Sequence, residues 1–161
     1  MKSAIAIRPA KAGDEDLILS LLHELAVYEK LTDKFRITRD VIVRDYLRAQ
    51  PLLECDLGFE GDKPVGVATW YWTYGSFAAQ RGIFLEDLFV RPEFRGRGYG
   101  KALLAGLAKR AVQAGAGHVE WSVLDWNKPS IDFYESLRAK RGEGWYSYRL
   151  TGEALEDVAD S

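Results

Sequence analysis

A chain of 161 residues has the length of one domain, and 47% apolar with 29% charged residues supplies a core and excludes a disordered polymer. A net charge of −2, with no basic stripe interleaved with aromatics, argues against nucleic acid as a partner. The lone cysteine, Cys55, excludes an internal disulfide and a cysteine-based zinc site, and no apolar run is long enough for a signal peptide or a membrane span, so the expected location is cytoplasmic.

Residues 4–8 read as a first strand, ended by Pro9. Asp14 then stands where a cap would open a helix whose apolar residues fall at Leu17, Ile18, Leu21, Leu22 and Leu25, a helical stripe. Thr38 is placed to cap a second helix running to about Leu47. Residues 53–59 and 65–74 flank Gly61-Asp62-Lys63-Pro64 and predict an antiparallel hairpin, and 83–90 reads as the next strand. A helix over 101–114 buries Leu103, Leu104, Leu107, Ala108 and Ala111, and Gly115 and Gly117 stop it. Residues 118–124 alternate, with Val119, Trp121 and Val123 on one face. Asn127 caps a short helix over 128–137, residues 145–150 read as a last strand, and an acidic tail follows. The order β-α-α-β-β-β-α-β-α-β predicts an α/β (α+β) fold, a mixed sheet with helices on both faces.

The run Arg95-Gly96-Arg97-Gly98-Tyr99-Gly100 lies between a buried strand and an amphipathic helix. Strand, glycine turn and helix start gather unpaired backbone N–H groups and the positive end of a helix dipole, a site for phosphate or pyrophosphate. A Walker loop fails, because Gly100-Lys101-Ala102 has Arg95 where its first glycine belongs. A dinucleotide fingerprint fails as well, with Lys101 or Leu103 at its last glycine, although Glu120 stands twenty residues past Gly100. What remains is Arg-x-x-Gly-x-Gly, filled by Arg95, Gly98 and Gly100. A basic loop that merely caps its helix is the plain alternative.

Ser130 and Tyr134 are four residues apart in the segment 123–134 and share a helix face. If 118–124 lies parallel to 83–90, both strand ends and both helix starts open on one crevice, where open α/β sheets bind ligands. Taken alone, Tyr134 reads as a core tyrosine with its hydroxyl satisfied, the usual place of a tyrosine on an amphipathic helix.

Together the two segments resemble the GNAT N-acetyltransferase superfamily. Leu85-Glu86-Asp87-Leu88-Phe89-Val90, the loop 95–100, Trp126-Asn127, Phe133-Tyr134, the early Tyr28-Glu29 and the late Tyr148-Arg149-Leu150 are similar to its diamine (spermidine/spermine) acetyltransferase group and bacterial relatives. The resemblance spans nearly the whole chain and implies one N-acetyltransferase domain over 1–161 with the GNAT fold. It also implies acetyl-CoA as co-substrate, no metal and a homodimer. Leu88, Phe89 and Val90 would then pair their backbone with the pantetheine arm as an added strand does. Gly96, Gly98, Tyr99, Gly100 and Lys101 would cradle the pyrophosphate beside Arg95 and Arg97. Asn127 and Ser130 would hold the thiol end, and Tyr134 would be the general acid on the leaving thiolate. Glu86, Tyr28 and Glu29, with Glu120 and Trp121, would face the amine.

The chemistry fits that division. An alkyl amine with a pKa of about 10.4 is neutral in only about one molecule per thousand at pH 7, and acyl transfer needs the neutral form. A carboxylate in reach, directly or through water, therefore helps, and Glu86 is the leading candidate, as base or as cation binder. A solvated charge at the strand edge is the plain reading of the same residue. Asp87 has the opposite strand parity and ranks lower. Tyr134 stays protonated near neutrality and can donate. No Ser-His-Asp set is visible and Cys55 reads as a small buried hydrophobe, so direct transfer in a ternary complex is expected. His23 and His118 read as ordinary histidines, without the spacing of a metal site. The aromatic run Trp70, Tyr71, Trp72 and Tyr74 reads as core and interface packing, with an acceptor wall as the alternative.

Two departures from the group qualify the acceptor and the stability. No acidic residue stands at Gly75-Ser76-Phe77, which weakens a long polycation and raises a lysine-like amino acid or thialysine. Arg138 occupies a position after the Tyr134 helix that is usually glycine. A protein- or peptide-directed acetyltransferase and a non-catalytic CoA-binding module remain as other function classes.

Overall fold

The hairpin signal at residues 61–64 becomes the centre of the sheet. In the computed structural model, which describes residues 4–161, five strands form: β1 (Ala6–Pro9), β2 (Glu54–Glu60), β3 (Lys63–Gly75), β4 (Gln80–Val90) and β5 (Val119–Trp121). They lie in the order β1-β2-β3-β4-β5; the first four are antiparallel neighbours and β5 runs parallel to β4. The sheet is mixed, as the pattern predicts. Two compact units result, the first ending at Ser122 and the second Val123–Ser161.

Strand alternation sends Cys55, Leu57, Val67 and Phe89 to one face of the sheet, against Ile18, Leu21, Leu22 and Leu25 of α1 (Glu15–Tyr28) and Ile42 of α2 (Arg39–Asp45). Full burial of each such leucine contributes about 1.5–3 kcal/mol. The other face receives α3 (Tyr99–Gln113). Its Leu103 comes so close that a Cβ on Gly66 would stand 3.2 Å from Leu103 Cδ1 and 2.7 Å from the Phe89 carbonyl oxygen, so only glycine fits there. On this same face the buried Asp56 accepts from Arg110 Nη1 (2.5 Å) and Nη2 (3.0 Å) in the last turn of α3, and from Trp70 Nε1 (3.3 Å).

The helix starts follow sequence with one exception. Thr38 Oγ1 accepts from Val41 N–H (3.2 Å) and caps α2. Asp14 precedes α1 but makes no side-chain cap, because Arg8 takes both its oxygens (2.7 and 2.9 Å) and Lys11 N–H bonds it as well (2.9 Å).

In the second unit Asn127 Oδ1 accepts from Ser130 N–H (3.4 Å) at the start of α4 (Lys128–Ser136). After α4, Arg138 adopts the left-handed φ of 65°, with its N–H on Glu135 O (2.9 Å) and Ala139 N–H on Tyr134 O (3.2 Å). This is a helix end that favours glycine, and the chain places an arginine there. Residues 145–150 do not form the expected last strand: among the described residues no strand pairs with them, and Trp145, Tyr146 and Tyr148 are about nine-tenths exposed. An alternating pattern makes a strand only when a neighbouring strand completes its hydrogen bonds. The acidic tail instead forms a short helix, α5 (Glu153–Ala159), whose Glu153 and Glu156 sit in the first turn and complement the helix dipole.

Candidate active site

One extra residue in β4 organises the first unit's candidate site. Thr69 of β3 pairs with Asp87, but its neighbour Trp70 pairs with Leu85, so Glu86 is the unpaired residue of a β-bulge. Leu85 shares the α3 face with Trp70, whereas Asp87 shares the α1–α2 face with Thr69. In a regular strand, residues two apart would share a face. From the bulge onward β4 is not paired with β5, so the two strands share only the stretch before it. Their pairing covers only Ile83–Val119, Phe84–Glu120 and Leu85–Trp121, so β5 ends at Trp121 and the expected strand over 118–124 is shorter than its alternation implies. From Glu86 to Val90, β4 therefore has β3 on one side and no paired strand on the other. The expected backbone sites Leu88, Phe89 and Val90 lie on this open edge.

The bulge gathers acid on the α1–α2 face. Thr69 Oγ1 donates to Asp87 Oδ2 at 2.5 Å. Burial pushes the Asp87 carboxyl above the ordinary range, and the Thr69 bond only partly offsets this. Glu86 and Glu29 are each raised by burial first and by the Asp87 charge second. Tyr46, next after α2, is raised by burial and then by Asp87, with Glu86 among the lesser causes. Tyr71 is raised by burial and then by Glu86 and Glu120. These couplings put Asp87 and Glu86 near Tyr46, Glu86 and Glu120 near Tyr71, and Glu29 near Asp87: a concentration of negative charge that attracts a cation, in which burial makes Glu29, Glu86 and Asp87 better proton acceptors.

The glycine loop is built beside that edge. Gly96 (φ 75°) and Gly98 (φ 84°) both take left-handed backbone, and a Cβ on either would meet nothing within 4 Å. The first backbone bond of α3 joins Ala102 N–H to Gly98 O (3.0 Å), so the N–H groups of Gly100 and Lys101 lie in the helix's first turn, ahead of its backbone ladder. Such a turn, with open space over two glycines, fits a phosphate-bearing ligand. Tyr99 is buried and donates its hydroxyl to Glu60, which also accepts from Arg97 Nη1 (2.9 Å). Tyr99 is thus an anchor of the loop. Arg95 donates from Nε to Val90 O (2.9 Å), and its guanidinium lies over the Tyr28 ring at 4.8 Å.

The placement separates two expected partners. Glu120 pairs with Phe84 and stands beside Tyr71, whereas Trp121 pairs with Leu85 and belongs to the α3 face, away from the acid cluster. Alternation on β5 makes this unavoidable. Asn127, Ser130 and Tyr134 belong to the second unit, where Asn127 caps α4 and Ser130 and Tyr134 lie one turn apart on it. Strand parity ranks Asp87 below Glu86, because an unpaired residue in a strand leaves no signature in the side-chain pattern, and Tyr46 lies in no motif. Cys55 is buried and its thiol is pushed up by burial, which suits a core residue and not a nucleophile. His23 stacks edge-on against Phe35. Among the described residues no group of three or more His, Cys, Asp or Glu is arranged to hold a metal, and no helix is long and apolar enough to cross a membrane.

Residues 20–138 match the acetyltransferase (GNAT) family. The chain is 35% identical over 168 residues to a thialysine N-epsilon-acetyltransferase of Sus scrofa, covering 98% of each. It is 32% identical to an L-ornithine N5-acetyltransferase of Arabidopsis thaliana, covering 94% of this chain and 86% of that one. Its fold is similar to that of an integron cassette protein from the mobile metagenome of V. cholerae, with a TM-score of 0.79 at 22% identity, covering 100% of this chain and 99% of that one.

Proposed function

This chain belongs to the acetyltransferase (GNAT) family of acyltransferases, and from that premise we propose that it acetylates the primary amine of a small cationic acceptor, lysine-like or a short diamine. The observation that carries this reading is the acid cluster of Glu29, Glu86 and Asp87 next to the open edge of β4. The named activities of the thialysine and ornithine relatives support the same acceptor class, and the lack of acid at residues 75–77 disfavours a long polycation. Relatives that match along 98% of the chain support one catalytic domain over 1–161.

Acetyl-CoA, when bound, supplies the thioester carbonyl that the amine attacks. The backbone of Leu88, Phe89 and Val90 offers strand-like hydrogen bonds to the pantetheine arm. The first turn of α3 and the glycines at 96 and 98 receive the pyrophosphate, with Arg95, Arg97 and Lys101 adding charge. Asn127 and Ser130 hold the thiol end. Asp87, Glu29 and Glu120 attract the acceptor's cation, with Tyr46 and Tyr71 as walls. Glu86 takes the ammonium proton, directly or through water, and its raised pKa brings its basicity closer to the task. Tyr134 gives a proton to the departing thiolate. Transfer is direct, in a ternary complex. The protein acts as a homodimer, for which the exposed Trp145, Tyr146 and Tyr148 offer contact surface.

The test is release of CoA thiol from acetyl-CoA over lysine, thialysine, ornithine, putrescine, spermidine, an aminoalcohol and a peptide lysine, with Tyr134→Phe alongside. Turnover on a small amine, reduced at least about tenfold in Tyr134→Phe, is the expected result. Turnover confined to the peptide lysine, or none on any acceptor despite CoA binding, would overturn the reading. An acetylated enzyme trapped in mass analysis would overturn direct transfer, and a monomer by light scattering would overturn the dimer.

A further inference from the structure

Two side chains one turn apart on α1 hold two arginines that are also four residues apart. Glu24 accepts from Arg91 Nε (3.0 Å) and Nη2 (2.8 Å), while Arg91 Nη1 bonds Pro64 O (2.9 Å). Tyr28, on the same helical face, lies under the Arg95 guanidinium at 4.8 Å, and the buried Phe89 ring lies 5.6 Å from that guanidinium. Arg91 directly follows β4, and Arg95 stands immediately before Gly96 and three residues before Gly98, two glycines whose left-handed backbone has little stiffness of its own. The segment from the end of the strand to the glycines is therefore splinted from outside by one helix.

Resting on the acetyl-CoA reading above, we propose that Tyr28 is a positioning residue for the acetyl-CoA loop, acting through the face of its ring on Arg95. The bidentate Glu24–Arg91 pair fixes the near end of the segment, and the Tyr28–Arg95 stack fixes the far end. The Arg95 bond to Val90 O then joins the loop to the open strand edge. Tyr28 thereby serves the cofactor side of the site, although the adjacent Glu29 belongs to the acid cluster.

The test is calorimetric titration of the full chain with CoA, without amine, beside steady-state kinetics. Tyr28→Leu, which removes the ring face, is expected to weaken CoA binding about two- to fivefold and to raise the KM for acetyl-CoA alike, with kcat held within about twofold. Tyr28→Phe, which keeps the face, restores wild-type affinity. In Tyr28→Leu/Arg95→Gln the losses are expected to be less than additive, because both changes remove one contact. Additive losses, failure of Tyr28→Phe to restore binding, or a Tyr28→Leu defect confined to the amine KM would overturn the proposal. A wild-type chain that does not bind CoA would overturn the acetyl-CoA reading itself, and this inference with it.

Discussion

Removing the cation that faces Asp56 is the sharpest test of how the α3 side of the sheet holds together. The Asp56 side chain is 4% exposed and that of Arg110 is 32% exposed, so the two ends of the pair differ in access to water. Arg110→Ala leaves a carboxylate in the core with only Trp70 Nε1, at 3.3 Å, as its remaining side-chain donor. An uncompensated buried charge of this kind costs about 3–5 kcal/mol. Asp56→Ala strands an arginine that can swing toward solvent, together with one indole N–H. That loss falls at about 1–3 kcal/mol, the cost of an unsatisfied buried polar group. For a chain of this size 1 kcal/mol moves the melting temperature by about 2–4 °C. Arg110→Ala is therefore expected to lower Tm by at least about 6 °C, and by more than Asp56→Ala. Asp56→Leu/Arg110→Met, which replaces the pair with apolar volume, recovers most of the loss. Thermal and urea unfolding of the three variants measure this. A drop below about 2 °C for Arg110→Ala, or a double variant worse than either single one, would refute the argument from burial.

Other expectations follow from single residues. The acid limb of kcat/KM rises as pH climbs through the Glu86 pKa; burial and Asp87 raise that pKa, so the limb lies above the range of an ordinary glutamate, and Glu86→Gln abolishes it in a pH–rate profile. Arg138→Gly relieves a left-handed φ of 65° and is expected to stabilise by about 1 kcal/mol, read as a higher Tm. Gly98→Ala meets no neighbouring atom but places a Cβ on a φ of 84°; it is expected to raise the KM for acetyl-CoA severalfold and to cost about 1–2 kcal/mol in stability, which kinetics and melting read separately.

Most of the fold is legible in the chain because its signals are local. The stripe at Leu17–Leu25, the turn at residues 61–64 and the glycines at 96 and 98 each name their element before any packing is known. The loop half of the site is legible for the same reason. What escapes is non-local. Residues 145–150 carry a strand pattern but form no strand, and β5 stops at Trp121, short of the alternation over 118–124. Asp14 is diverted from capping by Arg8, which reaches it from β1. In the acid cluster, strict alternation assigns Asp87 to the face opposite Glu86, and the bulge that changes this is a property of the β3–β4 register, which no local pattern carries.

That single unpaired position also limits how such a site can arise or be transplanted. Point substitution cannot bring two consecutive acidic side chains to one face of a regular strand; inserting or deleting a residue can. Grafting Glu-Asp onto an unbulged strand of another scaffold would split the pair across the sheet. Deleting Glu86 here would leave the pairs Thr69–Asp87 and Trp70–Leu85 consecutive, so the register would survive and the second acid of the pair would be lost with the bulge. The length of β4, more than its composition, is the variable an engineer of this site must preserve.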